Sequence, residues 1–179
     1  MKKVIYHSIF LFCLNPCFSQ VTFLPGYMLN ATSDTLKGEV KINPKKDVDN
    51  YSKVFFKDAG GIQKNWKPAK VKGYGFSGRN FVSITEKDEA MFYERLTSGA
   101  IILYKTTFEV SSAGETTKEF VWYLFKEGDK KLTEVKEGKF KKQIQDWMSG
   151  SAGIANEYED GKTFNEAAAI QVINKYNEW

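Results

Sequence analysis

The chain has 179 residues, 15% of them aromatic, with 26 Lys and Arg against 22 Asp and Glu. Its one histidine, His7, and its two cysteines, Cys13 and Cys17, all lie near the start. The rest of the chain therefore has no imidazole or thiol for a Ser-His-Asp triad, a Cys-His dyad, a zinc site or an iron-sulfur cluster.

Residues 1–19 read as a secretory signal peptide: Lys2 and Lys3, then an apolar run over 4–14, then Cys17-Phe18-Ser19 as a small-residue exit. The apolar run is too short to span a bilayer. Pro16 stands directly before Cys17, where a lipidation site needs a small residue. Cleavage after Ser19 removes the histidine, both cysteines and two lysines, leaving 24 basic against 22 acidic residues, near +2. That balance does not call for nucleic acid or an anionic membrane as partner. About 160 residues suffice for one core, held by packing without disulfides.

From residue 20 the expectation is an antiparallel β domain over 20–136, with a helical lid over 137–179. Leu36-Lys37-Gly38-Glu39-Val40-Lys41-Ile42 alternates with period two, so Leu36, Val40 and Ile42 face inward. With the apolar Tyr27-Met28-Leu29 and the turn at Ser33-Asp34 it forms an opening hairpin. A loop with Pro44 follows, then strands over 52–57 and 62–66 about a Gly60-Gly61 turn. Residues 68–72 read as a turn or a single helical turn. Strands are expected over 80–85, 90–96, 100–110, 118–126 and 131–135, a spacing that favours an antiparallel sheet or partly open barrel of about ten strands. Residues 100–104 and 120–125 are apolar on both faces, which asks for cover on both. The period then changes. Phe140, Ile144, Trp147 and Met148 stripe one helix, which Gly150 can close. A capping box at Thr163 and Glu166 opens a second helix, striped by Phe164, Ala168, Val172, Tyr176 and Trp179. The fold class is mainly β, of α+β type, with two C-terminal helices.

The chemical motifs are sparse. Gly73-Tyr74-Gly75-Phe76-Ser77-Gly78 has the letters of a dinucleotide loop, but an alternating strand pattern follows it where that motif needs a helix. No cofactor is expected. Asp47-Val48-Asp49-Asn50 begins like a calcium loop and lacks its glycine and closing glutamate, and the acidic turn at 157–161 has no metal spacing. Asn30-Ala31-Thr32 is a glycosylation sequon. Glu86, Glu94, Glu109 and Glu119 are the carboxylates a glycosidase would draw on, with no spacing that pairs them. Trp122 and Trp147 sit on core-facing patterns. The candidate ligand-binding residues are Trp66, Tyr74, Phe76 and Arg79, gathered about the glycine-rich turn, where small residues let a ligand approach. No catalytic and no metal-binding residue is proposed.

Gly26-Tyr27-Met28, Ser33-Asp34-Thr35-Leu36-Lys37-Gly38-Glu39-Val40, Val54-Phe55-Phe56-Lys57, Pro68 and Val71-Lys72-Gly73-Tyr74 carry a resemblance. They are similar to an uncharacterised family of secreted β-rich proteins of Gram-negative bacteria, whose hairpin motif has glycine where Ser33 stands here. The 90–104 hairpin and the Ile173-Asn174-Lys175-Tyr176-Asn177 tail resemble it too. The resemblance implies export and a β-rich fold, and no activity or site residue. The expected function is an exported, periplasmic or secreted, non-enzymatic module that binds an envelope protein through sheet edges or a concave face. Two alternatives stand beside it: a carrier with a small apolar ligand or lipid in a helix-closed barrel, and a carboxylate glycoside hydrolase.

Overall fold

The structure, a computed structural model, describes residues 21–112, 114–148 and 150–179; the expected signal peptide lies outside them. Ten strands form one antiparallel sheet: β1 Thr22–Leu29, β2 Thr35–Ile42, β3 Val54–Asp58, β4 Gln63–Trp66, β5 Gly73–Phe76, β6 Arg79–Glu86, β7 Glu89–Arg95, β8 Ile101–Ser112, β9 Glu115–Lys126 and β10 Thr133–Glu134. Their order is β10-β9-β8-β7-β6-β5-β1-β2-β3-β4, so the sheet is open, with β10 and β4 at its edges. This is the expected β-rich class. None of the helices among the described residues is long and apolar enough to cross a membrane.

Two-residue turns set much of the register. Ser77 (φ 47°) and Gly78 (φ 79°) join β5 to β6, and Lys87 and Asp88, also at positive φ, join β6 to β7. The glycine-rich run is thus a strand and a hairpin turn followed by a strand. Gly75 serves close packing: a Cβ there would lie 2.5 Å from the Tyr27 ring and 2.8 Å from the Arg79 carbonyl oxygen.

Facing pairs define the two sides. One row runs Met28, Tyr74, Phe81, Glu94, Lys105, Trp122 across six strands. Both cores lie on this first face. Over β1–β7, Met28, Val40, Phe56, Tyr74, Phe76, Phe81 and Phe92 enclose Tyr51, which comes from a 3-10 segment at Pro44–Tyr51 kinked at Lys46. That segment was expected to be a loop; Asn43 caps it by accepting the Lys45 amide. Over β8–β10, Ile101, Leu103 and Leu124 pack against α1 (Phe140–Trp147), α2 (Ala152–Ala155) and α3 (Glu166–Asn177).

The α1 stripe is as expected, with Phe140, Ile144 and Met148 fully buried. The one-turn α2 is additional. In α3 the cap is Asn165, whose side chain accepts the Ala168 amide at 3.1 Å, in place of Thr163. Ala169, Val172 and Ile173 are its most buried residues, the expected Phe164, Ala168 and Tyr176 pack partly buried against the same core, and Trp179 alone leaves the stripe, 83% exposed. Glu166, freed from capping, accepts from Trp122 Nε1 at 2.7 Å and pairs with Lys105 at 2.9 Å.

Candidate functional site

Three of the four expected site residues come together. Phe76 faces Arg79 and Tyr74 faces Phe81 across the β5–β6 hairpin. Tyr74, Phe76 and Phe81 stack nearly parallel, and the Arg79 guanidinium lies 5.5 and 5.0 Å from the rings of Phe76 and Phe81. Trp66 does not join them. It lies on edge strand β4, half-buried, under the Lys64 ammonium at 4.3 Å.

The cluster is closed by residues that carried no such signal in the sequence. Arg79 donates from Nε and Nη2 to Glu94 at 2.6 and 2.7 Å, and from Nη1 and Nη2 to Asp47 at 2.6 and 3.2 Å. Two forked pairs of this kind fix the guanidinium plane. The Tyr51 hydroxyl donates to Glu94 at 2.6 Å, the Tyr74 hydroxyl to the Asn50 carbonyl at 2.5 Å, and the Asn50 amide to Asp47 at 2.8 Å. Burial works against the Arg79 charge, but Glu94 and Asp47 outweigh it and hold the guanidinium protonated. Burial likewise pushes Asp47 up, and Arg79 with Asn50 overrides it, leaving its carboxyl below the usual range. Burial and then the Glu94 contact raise the Tyr51 hydroxyl.

Chemically this is a lock. Both carboxylates are engaged by one cation, Glu94 is only 7% exposed, and Tyr74 is fully buried. Its action is to tie the Pro44–Tyr51 helix onto β6 and β7. Among the described residues no three His, Cys, Asp or Glu side chains gather as a metal site would require.

No protein-family model, curated protein or solved structure matches this chain.

Among the described residues no helix packs on the second face of the sheet where it is least polar, and the face is half-buried there, with Tyr93 and Tyr104 only 4% and 9% exposed. On β2 this face carries Lys37, Glu39 and Lys41, as alternation predicts. On β6–β9 it carries Val82, Ile84, Met91, Tyr93, Ile102, Tyr104, Val121, Tyr123 and Phe125. Tyr93 forms the floor, with the rings of Tyr104 and Tyr123 edge-on at 6.4 and 5.7 Å. The Tyr93 hydroxyl donates to Glu86 at 3.2 Å. Burial raises the Tyr104 hydroxyl above its ordinary value, against the lowering charge of Arg95. The two-faced apolar pattern of residues 100–104 and 120–125 announced this surface. Sequence alone read it as buried on both sides. In the structure the described helices pack on the first face, and Ile102, Val121, Tyr123 and Phe125 remain partly exposed on the second.

Proposed function

We propose that this chain is an exported, non-enzymatic binding module of the bacterial envelope, and that the second face of β6–β9 is where a partner protein docks. The carrying observation is that β8 and β9 are apolar on both faces while the described helices cover one. Monomeric proteins seldom leave a contiguous apolar patch open, and a surface of tyrosines, aliphatics and one arginine has the composition of an interface centre. Export is supported by the basic, apolar and small-residue pattern in residues 1–19. A non-enzymatic role is supported by the Arg79 cluster, whose carboxylates are both spent on one guanidinium. The open strand order and the aromatic filling of the first face favour docking over carriage inside a barrel.

Native mass spectrometry of the protein isolated from its own envelope tests this. The wild type is expected to carry a protein partner. Ile102→Lys/Phe125→Lys, placed on the open face, is expected to lose it while keeping its circular dichroism spectrum. A wild type that travels alone, or a partner retained by the double variant, would sink the reading.

A further inference from the structure

The β7–β8 ladder is unusually short. β7 pairs with β6 from Glu89 to Glu94, and β8 pairs with β9 along all twelve of its residues. Between β7 and β8 the register holds only Glu94↔Lys105 and Arg95↔Tyr104, extended by the Leu96 amide to the Leu103 carbonyl at 2.8 Å. Continued, it would set Phe92 opposite Thr107 and Met91 opposite Phe108. Instead the Thr106 hydroxyl donates to the Phe92 carbonyl at 2.9 Å and plugs the junction, 2% exposed. Beyond Thr106 the strands part around a cleft of about 420 Å³ lined by Ser52, Glu89, Met91, Thr107, Phe108 and Glu109, among others. That is the size of a ligand pocket, roughly 300–1,000 Å³.

We infer that this fork is a second docking site, which takes an extended peptide segment of alternating apolar and basic residues as a strand added to the free edge of β8. Backbone N–H and C=O groups at an unpaired edge are obligatory hydrogen-bonding groups and template a further strand. Proteins usually blunt such an edge with proline, lysine or a bulge. Here residues 107–110 are Thr, Phe, Glu and Val, all but Glu strong strand formers, and Phe108 is 44% exposed. The only lysine lining the cleft, Lys118, is 4.0 Å from Glu109. Those four residues span about 13 Å at roughly 3.3 Å per residue. β7 and β8 are antiparallel, so an added strand runs antiparallel to only one of them. Antiparallel pairing is the stronger per residue, and β8 offers the longer edge.

The side chains set the partner's chemistry. Met91 and Phe108 offer apolar contact on the second face with Glu89 beside them, and Glu109 lies on the first face with Lys118, so the lining carries two carboxylates and one ammonium, split between the faces. An apolar residue flanked by Lys or Arg matches that lining. The fork stands on its own observation and does not require the open face of β6–β9 to bind anything.

The test uses the full chain and a fluorescein-labelled heptapeptide of alternating Lys and Val. Controls replace its lysines by Glu or its central residue by Pro. Fluorescence anisotropy should show binding of the Lys peptide alone, and hydrogen exchange should slow at the residue 107–110 amides that point into the fork. Glu89→Lys/Glu109→Lys, on the exposed rim, should weaken binding about tenfold. Ile102→Lys/Phe125→Lys should leave it unchanged, which separates this site from the open face. No binding, equal binding of the Glu or Pro peptide, or indifference to the charge reversal overturns the inference. So does finding, in the free wild type, that those fork amides already exchange as slowly as the β8–β9 ladder.

Discussion

The two halves of the first face are covered in different ways. Over β8–β10 the cover is α1 and α3, whose apolar stripes sink Phe140, Ile144, Val172 and Ile173 against Ile101, Leu103 and Leu124. Over β1–β7 the cover is the 3-10 segment Pro44–Tyr51, two short turns joined by a kink at Lys46, which has no such stripe and buries only Asn50 and Tyr51. It is held instead by directed contacts: Asp47 to Arg79, Tyr51 to Glu94, and the Asn50 carbonyl to Tyr74. A long amphipathic helix can rely on non-directional burial. A short polar one needs a charged tether, and the tether in turn needs every partner present. The halves meet along the row Phe81, Glu94, Lys105, Trp122, where Lys105 leans to Glu166 and lies over Phe120 and Trp122.

The sharpest way to break this contrast is to remove the centre of each half. Arg79→Ala leaves Glu94 buried without its cation and should cost about 3–5 kcal/mol in urea unfolding. Leu103→Ala should cost about 2–4 kcal/mol through the cavity it leaves. Salt separates them: raising ionic strength should narrow the gap between wild type and Arg79→Ala more than the gap for Leu103→Ala. Equal salt response would mean the first half is not held by charge.

Acid should loosen the same half by a smaller amount. The folded Asp47 carboxyl is depressed, so its contribution is complete above the ordinary carboxyl range near pH 4 and is lost as pH falls through the depressed value. Site-resolved hydrogen exchange below pH 4 should show the Pro44–Tyr51 helix opening before α3. If α3 opens first, the lock is not what acid releases.

The smallest effect is expected at the junction. Glu166→Gln keeps an acceptor for Trp122 Nε1 and removes the ion pair with Lys105, and should lower stability by about 1 kcal/mol or less. A loss well above that would show that the seam couples the two covers.

Much of the fold was legible because period is written into neighbouring residues. Val40 and Ile42 are inward as alternation required, while Leu36, on the same face at the start of β2, is 40% exposed; Phe140, Ile144 and Met148 form the stripe they spell. The candidate site was half legible. Tyr74, Phe76 and Arg79 meet because they share one hairpin, and that proximity is local in the chain. Their closing partners are not local: Asp47 is 32 residues from Arg79, and Tyr51 is 43 from Glu94. Asp47 reads as a loop carboxylate and Glu94 as an exposed strand residue in sequence; in the structure the Pro44–Tyr51 segment lies over β6 and β7 and joins them.

Local spacing by itself determined most of the strands, though not β5 in the glycine-rich run, and the two longer helices, since each is a property of consecutive side chains; composition alone showed that histidine and cysteine end at Cys17. Tertiary structure alone decided which face the helices took, where the β7–β8 ladder stopped, and that Arg79 would be locked rather than free. Those depend on register between distant segments, and a one-residue slip would have carried every side chain of a strand to the other face.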